Sequence, residues 1–322
     1  MGEAGKKKVI IDTDPGIDDA MAIFVALNSP EIDVIGLTTI YGNVYTTLAT
    51  RNALHLLEVA GRCDIPVAEG SQVSLMKATK LRIADFVHGT DGLGNQNFPP
   101  PNGRPIDQSA ASFLVEQVNL HPGEITVVAL GPLTNVALAI EQDPAFPKKV
   151  GQIVILGGAF WVNGNVNPAT EANIFGDPEA ADAVFTSGAD ILAIGINTTH
   201  QVVLTDADLE KLQKSNSKFC QYLCKILGVY FSYHREAYSI KGVYLHDPTT
   251  VVAAINPSLL TYTEGVVRVQ TCGITRGLTL FDNTKKRYGE MTEWTGKPKI
   301  KVAVTVDAPA VVQLVMDRLI NS

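Results

Sequence analysis

The chain has 322 residues, 46% of them hydrophobic and 18% charged, enough length and apolar content for a large core, which excludes a disordered protein and a small disulfide-stapled module. Acidic residues outnumber basic ones by 33 to 26, for a formal net charge of −7, the opposite of the clustered basic face of a nucleic-acid binder. No apolar run reaches the roughly 18 residues a membrane-spanning helix needs, so a soluble chain with neither a nucleic-acid nor a membrane partner is expected.

From the N-terminus, Lys6, Lys7 and Lys8 precede an apolar run and read as solvating gatekeepers for it. Met1-Gly2 begins like a myristoylation signal, but Lys6 stands where that signal needs Ser or Thr, and the start lacks a signal peptide's apolar stretch. Val9–Asp12 predicts a strand, and Asp18–Leu27 a helix with Ala20, Ile23, Phe24 and Leu27 on one face. Ile32–Ile40 predicts the next strand and Thr46–Ala60 the next helix. After a long loop come the strand Ile125–Leu130, the helix Leu133–Glu141, the strand Ile153–Leu156, the helix Pro178–Thr186 and the strand Ile191–Ile196. The later third changes character: a helical stretch from about Asp206 to Ala237, a short helix after Pro248, β-rich segments around Gly265–Gln270 and Lys299–Val306, and a closing helix Ala310–Ile320.

Alternation of this kind predicts an α/β fold, with an open, mostly parallel sheet, flanking helices and an appended helical cap. No Gly/Ser linker, charge shift or fixed-period repeat divides the chain, so one domain over 1–322 is expected. Cys63, Cys220, Cys224 and Cys272 are sparse, and Cys220 and Cys224 at i, i+4 suit a packed helix face better than a metal site. A reducing, cytoplasmic compartment is expected. The loops Gly70–Asp107 and Gly157–Asp177 are too long for simple connections. Ligands of open parallel sheets bind beyond the carboxyl ends of the strands, where such loops emerge, so both are site candidates.

The most informative segment runs from Val9 to Asp19, where an apolar strand enters Asp12, Asp14, Asp18 and Asp19, four carboxylates within eight residues. Like charges at this density repel unless a cation sits among them. The Pro15-Gly16 turn brings the strand end back over the helix start, so that carboxylates from both can share one spot. All are hard oxygen ligands without Cys or His nearby, which favours Ca²⁺ or Mg²⁺ over zinc. Helix capping would account for Asp18 or Asp19. It leaves Asp12 and Asp14 at the end of an apolar strand, and a metal or catalytic cluster explains them better.

That segment, DTDPGIDDA, is followed by Tyr41-Gly42-Asn43, by ALGPLTN at 129–135, by GNVNPATEANIFGDPEAA at 164–181 and by Leu245-His246-Asp247-Pro248. Together, and in this order over nearly the whole chain, these motifs resemble the nucleoside hydrolase family, the inosine–uridine-type N-ribohydrolases. The resemblance implies a Rossmann-like nucleoside hydrolase fold and a Ca²⁺ ion held by Asp14, Asp19, the main-chain carbonyl of Leu130 and Asp247, with water and the ribose 2′- and 3′-hydroxyls completing the shell. The implied reaction is hydrolysis of the N-glycosidic bond of a ribonucleoside, with Asp14 accepting a proton from the attacking water, for purine and pyrimidine salvage or catabolism. It also implies a homodimer or homotetramer.

On the same basis Asp18, Asn43, Asn165, Glu171 and Asn173 are expected at the ribose, whose hydroxyls both donate and accept hydrogen bonds. His246, within the His-Asp tetrad, is expected near the leaving base, and His88 is a second candidate there. Tyr230, His234 and Tyr238 recur at i, i+4 on the long helix, a stripe more often core than a base-binding wall. Tyr238 and Tyr244 lie nearer the site motif and are preferred as base contacts, while Trp161 in the site loop is a possible stacking partner. His55, His121 and His200 have no motif around them and are assigned structural roles.

Two rivals from other classes remain open at this point. A metal-dependent phosphatase acting on nucleotides would also use carboxylates at a strand end, but no Lys/Arg clamp or Gly-rich phosphate loop accompanies them. A non-catalytic nucleoside-binding protein would keep the metal and ribose groups without needing Asp14 as a base. Phosphoribosyltransferases share paired acids after a strand, but AMAIFVAL replaces their phosphate turn.

Overall fold

The computed structural model describes residues 5–77, 81–286 and 289–321. The first half of the chain runs β1 (Lys7–Thr13), α1 (Ile17–Leu27), β2 (Ile32–Thr39), α2 (Thr46–Ala60), β3 (Val67–Glu69), α3 (Asp85–His88), α4 (Ala110–Leu120), β4 (Ile125–Ala129), α5 (Thr134–Gln142), α6 (Phe146–Lys149) and β5 (Gln152–Leu156). The second half runs α7 (Ala172–Gly176), α8 (Pro178–Phe185), β6 (Ile191–Ile194), α9 (Ile196–Thr199), β7 (Val203–Thr205), α10 (Asp206–Lys214), α11 (Lys218–Tyr238), β8 (Gly242–Tyr244), α12 (His246–Ile255), β9 (Leu260–Val269), β10 (Thr279–Asp282), β11 (Ile300–Val306) and α13 (Ala308–Ile320).

Nine strands form one sheet in the order β10-β9-β11-β6-β5-β4-β1-β2-β3. It is parallel from β11 to β3, and β9 pairs antiparallel with both β10 and β11. The α/β reading of the alternating pattern is thus realised. Each central strand is covered on both faces, as parallel sheets require: in β1, Val9 and Ile11 enter one core cluster and Ile10 the other. The chain moves outward from β1 to β2 and β3 on one side, then returns through β4 to β5 and β6 on the other. The carboxyl ends of β1 and β4 therefore flank a topological switch point, where open α/β sheets bind ligands.

Helix α1 lies over this switch point with Phe24 wholly buried, its ring 4.8 Å from that of Phe219 and 5.6 Å from that of Tyr222 on α11. Truncating Phe24→Ala is expected to destabilise the chain by about 3–5 kcal/mol through lost burial and the cavity left behind. Denaturant titration would read this as a lower midpoint, and a shift below about 1 kcal/mol would mean that α11 collapses into the gap.

Several elements depart from the sequence reading. The helical stretch from Asp206 to Ala237 is two helices, because Ser217 caps the second by accepting from the Phe219 N–H, while Thr205 and Asp208 form a capping box on the first. The helix expected after Pro248 begins at His246, with Pro248 in the first turn, where a missing N–H breaks no helical bond. Ile191–Ile196 ends as a strand at Ile194 and turns into α9. The loop Gly70–Asp107 contains α3, and α4 follows it. No described helix is long and apolar enough to cross a membrane.

Candidate active site

At the end of β1 the five carboxylates Asp12, Asp14, Asp18, Asp19 and Asp247 are all buried, and they divide by environment. Asp12 lies in a polar tie beneath the site: one oxygen accepts from Thr38 Oγ1 (2.6 Å) and Asn135 Nδ2 (2.7 Å), linking β1, β2 and α5. Burial raises its pKa to about 6. Its other oxygen, Oδ2, is buried without a partner, and the ties to Thr38 and Asn135 give Asp12 a structural task that the sequence reading did not include. Asp19 holds the turn together, accepting from Thr13 Oγ1 (2.5 Å), the Gly16 N–H (2.9 Å) and Asn43 Nδ2 (2.8 Å).

Asp14 Oδ2 accepts from the Asn43 N–H at 2.7 Å, while its Oδ1 is buried without a partner. Backbone walls it closely. A Cβ at Gly131 would stand 2.7 Å from Asp14 Oδ1, and one at Gly42 would collide with Oδ2. Asp18 Oδ2 accepts from Tyr230 OH (3.0 Å), and its Oδ1 is likewise buried and unpartnered. Asp18, Asp19 and Asp247 each offer a carboxylate oxygen, all within 4.8 Å of one another. Burial, followed by repulsion from Asp19, pushes Asp14 well above the usual carboxylate range; burial and then Asp18 do the same to Asp247.

Above these acids an open cleft is lined by Asp18, Asn43, His88, Leu130, Asn165, Glu171, Asn173, Tyr238, His246 and Asp247 among others. Chain segments remote in sequence meet here. Asn173 Nδ2 donates to the carbonyls of Leu130 (2.6 Å) and Leu156 (3.1 Å), bridging the ends of β4 and β5. The Leu130 carbonyl, expected to face a metal, keeps a second lone pair beside this bond. Glu171 caps α7 by accepting from the N–H groups of Asn173 (2.9 Å) and Ile174 (3.1 Å), and it also accepts from Gly158 N–H (3.1 Å). Asn165 Oδ1 accepts from Ala172 N–H at 2.9 Å. The ribose candidates thus also brace their own loop.

His88 Nδ1 accepts from the Ile17 N–H at 3.1 Å, capping α1, and its ring stacks on Tyr230 at 5.4 Å. Burial lowers its pKa to about 4. His246 Nδ1 pairs with Thr199 Oγ1 at 2.7 Å, and burial holds it well below the usual imidazole range.

The aromatic wall differs in part from expectation. Tyr230, Tyr233 and His234 line the cleft beside Tyr238, so the helical stripe read as core faces the site. Tyr244 is not among the lining side chains; its ring stacks on His200 at 4.3 Å. His200 therefore belongs to the surrounding aromatic cluster, 5.4 Å from His246. Trp161 is exposed and packs against Phe281 outside the cleft lining. Arg82 lines the cleft and was not singled out; its segment carries no motif.

Comparison with known proteins decides among the readings. Residues 9–313 match the family model described as inosine-uridine preferring nucleoside hydrolase. The chain belongs to that family. A probable uridine nucleosidase 2 of Arabidopsis thaliana is 74% identical over 322 residues, covering 100% of both chains. A solved plant nucleoside hydrolase, the PpNRh1 enzyme, superposes with a TM-score of 0.97 at 64% identity, covering 99% of this chain and 100% of its own. A purine-preferring ribonucleoside hydrolase from Gardnerella vaginalis gives a TM-score of 0.90 at 35% identity, covering 98% of each chain. The chain is thus a hydrolase of the N-glycosidic bond, as its motifs indicated, and neither the phosphatase nor the binding-protein alternative is needed. The hydrolase's acidic floor also fits a hard divalent cation: its donors are oxygens, and among the described residues three buried carboxylate oxygens, Asp12 Oδ2, Asp14 Oδ1 and Asp18 Oδ1, lack any partner.

Proposed function

We propose that this chain is a Ca²⁺-dependent ribonucleoside hydrolase that accepts uridine and releases nucleobase and ribose for salvage or catabolism. We take it to work in the cytoplasm as a homodimer or homotetramer. The observation that carries the reading is the unpartnered carboxylate oxygens of Asp14 and Asp18 beneath a cleft walled by amides and carboxylates. Uridine is favoured by the likeness to uridine nucleosidases, and Ca²⁺ by an all-oxygen donor set with several carboxylates.

Asp14, Asp19, Asp247 and the Leu130 carbonyl would hold the ion, with Asp18 close enough to join them or to take a ribose hydroxyl. When bound, the cation supplies Lewis acidity toward water and coordination for sugar hydroxyls. Asp14 Oδ1 accepts the proton of the attacking water, whose oxygen bonds to C1′ as the C1′–N pair leaves with the base. Asn43, Asn165, Glu171 and Asn173 orient the ribose, and the buried acids stabilise the cationic character that builds on the ring. His88, Tyr238 and Tyr244 are assigned to the base side, Tyr244 through the cluster behind it. His246, anchored by Thr199, presents its other nitrogen to the leaving base.

The 2′-hydroxyl is expected to pair with a carboxylate, and its loss removes a charged hydrogen bond of about 1.5–3 kcal/mol. Uridine should therefore exceed 2′-deoxyuridine in kcat/KM by about 10–100-fold. Reducing-sugar release from the two nucleosides tests this directly. Comparable values would overturn the assigned ribose contacts, and phosphate release from nucleotides with no free ribose would overturn the reading itself.

A further inference from the structure

Arg82 is half-buried on the cleft wall, with its guanidinium carbon 5.0 Å from the centroid of the Phe86 ring. Among the described residues no hydrogen bond or ion pair engages that guanidinium. Phe86 meets Tyr233 edge-on at 5.9 Å, Tyr233 meets Tyr238 at 6.1 Å, and Tyr238 lies 5.5 Å from His234. Arg82 therefore stands at the end of a chain of ring contacts whose first ring, the exposed Phe86, lies outside the cleft lining and whose Tyr233, Tyr238 and His234 line it. Its charge reaches into the cleft, acting on His88, Glu171 and Tyr238. Among the described residues it is the only arginine or lysine lining the cleft.

Cleavage gives such a charge something to do. The C1′–N bonding pair goes to the base nitrogen, the water oxygen bonds to C1′, and the water proton goes to the carboxylate. Until the base takes up a proton, it carries the negative charge. In uracil, hypoxanthine and xanthine that charge spreads onto ring carbonyl oxygens. Cytosine and adenine carry an amino group where uracil O4 and hypoxanthine O6 stand, and offer a donor there in place of an acceptor. A guanidinium fork matches an oxygen-bearing edge and repels a donor. A contact that strengthens as charge develops accelerates the reaction beyond simple binding.

We propose that Arg82 selects oxo-bases, hydrogen-bonding the carbonyl edge of the departing base and stabilising its anion, so that the site prefers uridine, inosine and xanthosine to cytidine and adenosine. This rests on the ribonucleoside hydrolase reading above. The test measures kcat/KM of the full chain, with its divalent ion, for uridine, 5-fluorouridine, cytidine and adenosine, in the unaltered protein and in Arg82→Met and Arg82→Lys. Arg82→Met is expected to lower the uridine value by about 10–100-fold, the scale of one charge-assisted hydrogen bond, and the cytidine and adenosine values by less than about threefold. 5-Fluorouridine, whose fluorine itself stabilises the base anion, should lose less than uridine. Arg82→Lys should recover part of the uridine preference. Equal losses for all four nucleosides, or no loss for uridine, would overturn the inference while leaving the proposed function standing. An unaltered protein that hydrolyses no ribonucleoside would overturn both.

Discussion

Replacing Asp14 with asparagine is expected to lower kcat for ribonucleoside hydrolysis by about a thousandfold, inside the roughly 10²–10⁴ that a positioned general base supplies. The substitution is nearly isosteric. An amide oxygen can still accept from the Asn43 N–H as Oδ2 does, so the turn keeps its tie. What disappears is the proton-accepting character of Oδ1, the buried oxygen with no partner of its own. A reducing-sugar assay beside a thermal melt separates the two effects: folding preserved with turnover collapsed is the expected pattern. Activity within about tenfold of the unaltered protein would remove Asp14 as the base.

Stripping divalent ions with a chelator is expected to take turnover to background and to lower the melting temperature. Asp14, Asp18, Asp19 and Asp247 are buried close together, and desolvation, with repulsion among them, disfavours their charged forms. A cation reverses that penalty only in the folded state. Ca²⁺ at a hundredfold excess over its Kd adds about 2.7 kcal/mol of stability, which for a chain of this length is on the order of 4 °C in Tm at about 1.5 °C per kcal/mol. Calorimetry with and without chelator reads the shift. Mg²⁺ should restore less than Ca²⁺, because it demands shorter, stricter octahedral geometry. Unchanged melting and full activity after chelation would remove the ion from the site.

The local parts of this site were legible in the sequence. A strand, a Pro-Gly turn and the start of a helix lie between Lys7 and Asp19, so the grouping of Asp14, Asp18 and Asp19 follows from covalent geometry and turn chemistry alone. Asp247 and Glu171 were reached through motifs, since spacing says nothing about partners so far away in the chain. Other features depend on tertiary contacts that no local pattern encodes. The separation of Asp12 from its neighbours is made by Thr38 and Asn135, one from the adjacent strand and one from α5. The stripe of Tyr230, His234 and Tyr238 has the same period whether it faces a core or a cleft, and only the packing of α11 over α1 decides. Arg82 sits in a stretch without helical or strand periodicity and comes to the site through the chain's path around α3. The break at Ser217 was written locally, as a capping serine before Phe219, and went unread because the apolar period continues across it.

The two sides of the cleft are built on unlike terms. Around Asp14 the sheet end presses main chain against carboxylate, and even a methyl group at Gly42 or Gly131 would displace it. The opposite wall draws Tyr230, Tyr233, His234 and Tyr238 from a single helix; Tyr230 is tied to the floor through Asp18, while Tyr233, His234 and Tyr238 make no such tie. Divergence within such a scaffold has an easy direction and a hard one: preference for the departing ring can drift by single exchanges along α11, while the sugar end stays locked. Efforts to redirect this catalyst toward new leaving groups belong on that helix.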